Sequence, residues 1–389
     1  MGENRQSHAD CLSIGFKYIM LKILIKYLAV WRLATLAVAF LAAYTLPLKD
    51  CCQSFGKNID FNYLTQIWAN FAGSDFLDLA KFNYGPPLEK GTYILFPLFP
   101  WLIGEVTRIT SDYLASGLLI AHLSLILALL ILYRLVKLDF KENIARLTLT
   151  LLMIFPTSFF FGSVYTESFF LLLVVLTFYL TRKNYLLLAC LTALFASATR
   201  FAGIFLWPAI IWEVWQGHDR KKVIWLLLPP LGLLSYMKYL SERTGDALYF
   251  LKVSPDFGPN LVISKVILLH QVFYRYAKMI LFSSHTDISF AVIILELVIG
   301  VLCLVLTIIA FRKLRFSYAL FLLLSYLIPT FTGTFVSQPR YLLTAFPGFI
   351  LLALWFSKQG QLMKRFYIAL NVIFAIIMIA LFTRGYFIG

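Results

Sequence analysis

The segment ASGLLIAHLSLILALLILYRLV (residues 115–136) decides the class of fold. It is long enough to cross the hydrocarbon core of a bilayer as one helix, which takes about 20 mainly apolar residues. The composition agrees: 61% of the 389 residues are hydrophobic, 14% are charged, and the mean hydropathy is +0.82. These values exclude a soluble domain of this size and predict an integral membrane protein.

Comparable apolar segments recur along the chain and predict an all-α polytopic membrane protein with about 11 transmembrane helices. The predicted spans are residues 24–47, 115–136, 147–163, 167–181, 186–200, 203–216, 223–241, 288–312, 317–334, 341–357 and 366–384. Residues 1–23 are polar to amphipathic, and no small-residue cleavage site follows, so we expect a retained cytoplasmic N-terminal segment. Residues 24–389 then form a single transmembrane domain, with external loops at 48–112 and 242–287.

The net charge of +15 comes from basic residues grouped in short tracts between the apolar runs. By the positive-inside rule these tracts mark the cytoplasmic side. They are Arg134/Lys137/Lys141/Arg146, Arg182/Lys183, Arg220/Lys221/Lys222, Arg312/Lys313/Arg315 and Lys358/Lys364/Arg365. This pattern serves membrane topology, so nucleic acid is not an expected partner.

Four motifs stand at the opposite ends of the predicted spans: FPLFP (96–100), PTSFFFGSVYTES (156–168), SATRFAG (197–203) and QPRYLLTAFP (338–347). They bring Glu167, Arg200 and Arg340 to the external or lumenal side. Charged residues next to the hydrocarbon core are energetically costly and are often functional. The alternative is that these residues are charged only because the ends of the helices are exposed to water. Because several motifs converge, we favour one external site.

The first external loop is too long to lack structure of its own. Tyr63, Leu64, Ile67, Trp68 and Phe71 recur at helical spacing and predict an amphipathic helix lying on the outer leaflet. Its continuation carries Asp75 and Asp78 on nearly one face if the helix persists through Gly73 and Ser74. A partly desolvated carboxylate there suits a general base; the alternative is two solvated acids on a loop.

FPLFP holds two prolines that do not fit an uninterrupted helix, so we expect a buried re-entrant segment at residues 96–100.

The five cysteines and five histidines show neither disulfide nor metal-ligand spacing, and no metal or other cofactor is predicted.

WANFAGSDFLDLAKFNYG (68–85), FPLFP, SVYTES (163–168), SATRFAG and PRYLLTAFP (339–347) follow one another in an order that resembles the GPI mannosyltransferase II family and its bacterial relatives. These belong to the GT-C glycosyltransferase superfamily. TGDALYFLKVSPDFG (244–258) and HQVFYRY (270–276) also resemble bacterial members, and the likeness covers roughly residues 25–355.

The resemblance implies a GT-C-like bundle whose first external loop carries a catalytic acid. It implies an inverting transferase without a metal, moving mannose or another hexose from polyprenyl- or dolichyl-phosphate-mannose to a lipid-linked or protein acceptor. Asp75 then acts as the base, Asp78 is a second candidate catalytic acid, and Arg200 and Arg340 hold the donor phosphate. Glu167 binds sugar hydroxyls or orients an arginine, or else only favours its helix N-terminus. Tyr165, Gln338 and Tyr341 complete the expected substrate site.

One position departs from the pattern, because the usual first-loop acid of the family falls on Ala72. Either Asp75 replaces it one helical turn later, or the protein is catalytically impaired, or the chain is an altered form of an active enzyme. A noncatalytic lipid-handling or scaffold protein of the same fold therefore stays open. A transporter is disfavoured because no internal repeat is visible. A bacterial plasma membrane is a more fitting location than the endoplasmic reticulum.

Overall fold

The protein is described by a computed structural model that covers residues 3–49, 61–84, 90–217, 220–252, 267–282 and 288–387. All secondary structure in these ranges is helical. The α-helices are α1 (Glu3–Thr45), α2 (Phe61–Gln66), α3 (Ala72–Phe82), α4 (Leu98–Thr110), α5 (Tyr113–Val136), α6 (Glu142–Met153), α7 (Glu167–Arg182), α8 (Leu186–Thr199), α9 (Leu206–Gln216), α10 (Leu228–Thr244), α11 (Tyr249–Lys252), α12 (Leu269–Phe282), α13 (Ile288–Lys313), α14 (Phe316–Thr330), α15 (Gln338–Thr344), α16 (Phe346–Ser357) and α17 (Gln361–Thr383). Short 3-10 helices occupy Ile67–Ala69, Lys90–Ile94, Ser158–Gly162, Phe201–Phe205 and Arg220–Leu227.

Within the described ranges, five helices are long and apolar enough to cross a membrane, and a bent pair raises the number to six. They are Leu24–Thr45, Tyr113–Val136, Val223–Thr244, Val292–Lys313 and Gln361–Thr383, with Gln338–Thr344 and Phe346–Ser357 as the pair. A multi-pass helical membrane protein is thereby confirmed. Other predicted spans are shorter helices, such as α7 with 16 residues and α8 with 14.

Prolines shorten two of the predicted spans. The span predicted at 147–163 ends as an α-helix at Met153, and Pro156 follows within three residues. Proline lacks the N–H that the helix needs and restricts the residue before it, so the chain continues as a turn and a 3-10 helix. The span predicted at 341–357 is split into α15 and α16, bent by 86°. Pro347 stands in the first turn of α16, where its missing N–H costs nothing.

The predicted interfacial helix is helical, but protein covers most of the apolar face that was expected to contact lipid. Tyr63, Ile67 and Trp68 are buried in the protein core. The helix stops before Phe71, which adopts a positive φ of 56°, and α3 then begins at Ala72. The helical spacing of the apolar residues predicts an apolar face, but it does not distinguish a face covered by lipid from one covered by protein.

FPLFP lies at the start of a helix, where its prolines do not interrupt helical hydrogen bonds. Pro97 precedes α4, and Pro100 lies in its first turn, where the backbone N–H groups have no helical partner. Phe96, Phe99 and Pro100 are buried as expected, and Phe99 packs edge-on against Phe76 of α3 with ring centroids 5.2 Å apart. In the described part of the first loop, α3 and α4 pack against each other and on α5. Residues 253–266 and 283–287 of the predicted loop 242–287, and residues 50–60 and 85–89 of the loop 48–112, fall outside the described residues; the rest of the loop 242–287 holds the end of α10, α11 and α12.

Three of the basic tracts meet at one end of the bundle. Arg182 at the end of α7 contacts Asp139 at 2.6 Å, and Arg315 before α14 contacts the same carboxylate at 3.2 Å. Asp139 belongs to the α5–α6 connection, so one carboxylate joins three predicted cytoplasmic loops. At about 1.5 Å per residue, Glu167 lies about 22 Å away at the other end of α7.

Candidate functional site

The site is built where α7 begins. The irregular segment before it satisfies its own polar groups: Ser163 Oγ donates to the Phe159 carbonyl at 3.1 Å, and Ser168 Oγ donates to the Phe161 carbonyl at 2.7 Å. Thr157 Oγ1 donates to the Pro339 carbonyl at 2.7 Å and ties the segment to α15. These bonds fix Glu167 as the first residue of α7, with 1% of its side chain exposed.

Glu167 lies between the two predicted arginines. Its Oε1 accepts a hydrogen bond from Arg200 Nη1 at 3.0 Å and pairs with Arg340 Nε at 3.2 Å. The arginine side chains are 14% and 13% exposed. The structure therefore brings together three residues that are far apart in the sequence: one in α7, one directly after α8 and one in α15. We call Glu167, Arg200 and Arg340 the charged triad.

Arg200 is held by the way α8 ends. Its backbone is extended, with φ −153° and ψ 148°, and its N–H still bonds to the Ala196 carbonyl at 3.1 Å. The chain then turns tightly back onto α8 at Gly203, where an added Cβ would lie 2.2 Å from the Ala196 backbone. A larger residue would collide with backbone, so the SATRFAG motif encodes this close return and with it the direction of Arg200.

Arg340 enters the site from the first turn of α15. Ser337 precedes this helix in the left-handed region, with φ 64°, and Pro339 occupies the first turn. Arg340 N bonds to the Ser337 carbonyl at 3.0 Å. QPRYLLTAFP thus supplies a sharp entry into a short helix, and that entry sets the position of the guanidinium.

Aromatic rings surround the triad. The Arg200 guanidinium lies 5.3 Å from the Tyr341 ring and 5.5 Å from the Phe170 ring. Arg340 lies 5.5 Å from Phe160, 5.6 Å from Tyr165 and 5.6 Å from Tyr341. Such contacts stabilise each cation by about 0.5–2 kcal/mol. They also hold the guanidinium planes in place for a ligand.

The triad carries one net positive charge, because two guanidiniums face one carboxylate. Glu167 Oε2 is buried without a hydrogen-bond partner, and Arg340 Nε lies near Oε1 without hydrogen-bond geometry. A buried carboxylate oxygen and a buried guanidinium N–H without partners are costly. Within the described residues, the triad therefore leaves part of its hydrogen-bonding capacity unused.

Asp75 and Asp78 are placed differently, although both belong to α3. Asp75 is half-buried and Asp78 is exposed. Asp75 acts electrostatically on Tyr165, whose hydroxyl donates to the Asn70 carbonyl at 2.8 Å. Burial raises the pKa of the Tyr165 hydroxyl well above its usual range; Arg340 opposes this rise, whereas Glu167 and Asp75 add to it. Asp75 therefore belongs to the surroundings of the triad, and Asp78 is not brought there.

The remaining predicted residues are divided as well. Tyr165 and Tyr341 line the triad through the cation–ring contacts described above. Gln338 is buried, and its Nε2 donates to the Tyr326 carbonyl on α14 at 3.3 Å. Its amide therefore contributes to the packing of α15 on α14.

A second arginine site is not among the sequence predictions. Arg32 lies within the apolar span Leu24–Thr45, and its guanidinium lies 4.2 Å from the Trp68 ring. Its Nη1 is buried without a hydrogen-bond partner, and no acid pairs with it in the described part of the chain. An arginine at the centre of a spanning helix costs about 2.5–3.5 kcal/mol, which a cation–π contact of about 2 kcal/mol does not fully offset. The sequence feature that could have identified this site is a single arginine within an apolar segment.

An acid inside α13 is likewise missing from the predictions. Glu296 is buried, and its Oε2 accepts a hydrogen bond from the Tyr276 hydroxyl at 2.5 Å. The same hydroxyl accepts the Phe335 N–H at 3.0 Å. Phe335 stands shortly before α15, so this pair supports the segment that leads to Arg340. The signal was again one charged residue within an apolar segment.

No protein-family model matches the chain, and no curated protein is significantly similar to it. Fold and site together define a multi-pass helical membrane protein with a buried Arg–Glu–Arg triad at one end of its bundle.

Proposed function

We propose that the protein is an inverting GT-C-like glycosyltransferase that moves mannose, or another hexose, from a polyprenyl-phosphate donor to a lipid-linked or protein acceptor. The observation that carries the proposal is the charged triad, with Arg200 and Arg340 converging on Glu167 inside aromatic walls. Guanidiniums bind phosphate oxygens through charge-assisted hydrogen bonds. The proposed active face is external or lumenal, and a bacterial plasma membrane is the proposed location.

The depth of the triad supports a lipid-borne donor. Glu167 lies about 22 Å from the Arg182 end of α7, whereas a hydrocarbon core is about 30 Å thick. The triad is therefore recessed below the opposite surface of the membrane. A donor whose phosphate is anchored by an isoprenoid chain reaches such a recess more readily than a water-soluble nucleotide sugar does.

The chemistry requires a base and a phosphate clamp. In the proposed reaction the acceptor hydroxyl oxygen attacks the anomeric carbon and transfers its proton to the Asp75 carboxylate. The bond between the anomeric carbon and the phosphate oxygen breaks, and polyprenyl phosphate leaves against Arg200 and Arg340. Glu167 then serves mainly to orient both arginines.

The position of Asp75 supports its role as a replacement for the acid expected at Ala72. Both residues belong to the first turn of α3, three positions apart, and hence share one face of that helix. An acid moved by one turn stays on the same side and advances by about 4.5 Å. A modest change in acceptor position accommodates this shift.

The internal pairing of the triad favours the second candidate function, a noncatalytic lipid-handling protein. Glu167 already neutralises one of the two arginines, so the site holds less charge for a departing phosphate than a free arginine pair does. Such a protein binds the lipid phosphate without transferring a sugar.

The deciding experiment is transfer of radiolabelled mannose from polyprenyl-phosphate-mannose by purified protein in lipid nanodiscs. We expect transfer by the native chain, none by Asp75→Asn and wild-type rates for Asp78→Asn. Transfer only after Ala72→Asp would establish a transferase scaffold without its acid. Binding of the donor without transfer by any of these variants would favour lipid handling.

A further inference from the structure

We propose that Arg32 forms a second anion site, within the membrane, that binds the phosphate group of an anionic lipid. The inference goes beyond the proposed transferase activity and does not depend on it. It rests on a cation that α1, α5 and the first loop bury, and for which the described residues supply no anion.

The surroundings of Arg32 leave one edge of its guanidinium open. Trp68 covers the guanidinium plane at 4.2 Å. Nη1 is enclosed beside Gly162, where an added Cβ would lie 2.9 Å from it. In the part of the chain that the structure describes, Nε and Nη2 have no hydrogen-bond partner, and neither atom is fully buried. Together these two nitrogens form the edge that binds phosphate oxygens in bidentate fashion.

The neighbouring side chains are neutral or aromatic. Trp31 packs beside Gly162, and His122 of α5 lies within electrostatic range of Arg32. His122 Nδ1 lies 2.7 Å from the Leu118 carbonyl and is therefore the protonated nitrogen of the ring. The site thus has a positive charge and, within the described residues, no carboxylate to balance it.

The faces on either side of Arg32 are open to lipid. Leu33 on α1 is 66% exposed, and Leu123 on α5 is 52% exposed. Both belong to helices of membrane-spanning length and composition, so hydrocarbon covers these faces. An anion reaches Arg32 most readily when an acyl or isoprenoid chain carries it along this surface. This favours a lipid phosphate over free phosphate.

Arg32 and the charged triad are linked through one short element. Arg32 packs on Gly162 and Arg340 on Phe160, both within the 3-10 helix Ser158–Gly162. His122 lies about 21 Å from the Val136 end of α5, nearly the same height as Glu167 along α7. A lipid phosphate that reaches the triad is therefore also at the depth of Arg32.

The test uses full-length protein in phosphatidylcholine nanodiscs and a diazirine-bearing farnesyl phosphate. We expect saturable labelling of peptides from α1 and α5, reduced at least about tenfold in Arg32→Gln and only partly in Arg32→Lys. Arg108→Gln removes an exposed arginine paired with Glu105 and serves as the matched control with unchanged labelling. Gly162→Ala should also reduce labelling, because the new methyl displaces Nη1.

Competition identifies the ligand class. Farnesyl phosphate and phosphatidylglycerol should displace the label, whereas farnesol and inorganic phosphate should not. Equal labelling of α1 in Arg32→Gln and native protein would overturn the inference, as would displacement by inorganic phosphate at the concentration at which farnesyl phosphate acts. Repeating the titration in Arg340→Ala separates the two sites: labelling of α1 that persists there supports the Arg32 site even if the transferase proposal fails.

Discussion

Glu167 accepts a hydrogen bond from Arg200 at 3.0 Å through the same oxygen that faces Arg340. One carboxylate therefore fixes two cations from different helices. Breaking a buried pair by removing one partner leaves an uncompensated charge and typically costs about 3–5 kcal/mol. Glu167 is thus expected to matter for stability as well as for any activity of the site.

Glu167→Gln keeps the shape of the side chain but leaves two buried guanidiniums facing each other. We expect a loss of about 3 kcal/mol in the free energy of unfolding and a strong loss of mannose transfer. Thermal unfolding in detergent measures the first effect. Glu105→Gln is the matched control, since its pair with Arg108 is exposed and contributes under about 1 kcal/mol. Equal melting temperatures for both variants would reduce Glu167 to an ordinary helix-end acid.

Replacing either arginine is expected to affect stability less than replacing Glu167. In Arg200→Ala or Arg340→Ala the carboxylate retains one partner, so the protein should fold, while transfer falls by at least about 100-fold because a phosphate contact is lost. In the double variant the carboxylate is left alone, and we expect a loss of stability larger than the sum of the single effects. Wild-type turnover by either single variant would remove that arginine from the proposed phosphate site.

The two acids of α3 provide an internal comparison. Asp75 is half-buried near Tyr165, whereas Asp78 is exposed. We expect Asp75→Asn to lower the turnover number by at least about 100-fold, with little change in donor KM, because a base acts in the transition state. Asp78→Asn should behave like the native protein. Similar rates for the two variants would exclude Asp75 as the base.

The triad was predictable because its members end apolar segments. Glu167, Arg200 and Arg340 each interrupt a run of hydrocarbon at the same side of the bundle, and helix ends at one membrane face lie close together. The exact pairing was not predictable, since the sequence does not state which side chain reaches which. Asp75 and Asp78 were indistinguishable for the same reason: the start of α3 at Ala72, after the positive φ of Phe71, sets which acid faces inward.

Other features of the fold escaped sequence reasoning for definite physical reasons. Trp68 belongs to an amphipathic pattern that predicts an apolar face, but only the tertiary structure shows that protein covers it. Pro97 and Pro100 interrupt a helix in the middle but are tolerated at its start, and the sequence alone left the helix start undecided. Arg32 and Glu296 are visible in the sequence as single charged residues within apolar segments. Placing a charge within a membrane costs free energy, so such residues are candidates for a functional role.

Asp139 pairs with Arg182 and Arg315 at the end of α7 that lies away from Glu167. This group should make part of the protein's stability sensitive to acid. Burial alone would raise the pKa of Asp139, but hydrogen bonds and charges from Arg182 and Arg315 outweigh it and hold the pKa below its ordinary 3.8. The stability that this carboxylate contributes is therefore complete above about pH 4 and is lost as the pH falls through the lowered pKa.

Asp139→Asn tests this directly. Its melting temperature should lie below that of the native protein at pH 7, and the difference should shrink as the pH falls below about 4. Glu242→Gln, which removes an exposed ion pair with Lys238, is the control and should change little at any pH. If the difference in melting temperature between Asp139→Asn and the native protein stayed constant down to pH 3, the charge of Asp139 would not be what connects these loops.

The hydrogen bonds of Tyr276 predict a long-range effect on the triad. Its hydroxyl donates to Glu296 and accepts the Phe335 N–H, three residues before Gln338 begins α15. Tyr276→Phe leaves both groups buried without this partner, so we expect a loss of about 1–3 kcal/mol in stability. A shifted α15 should also raise the donor KM through Arg340. Tyr274→Phe is the control, because Tyr274 is 71% exposed. Lower stability with unchanged KM would confine Tyr276 to packing and separate it from the site.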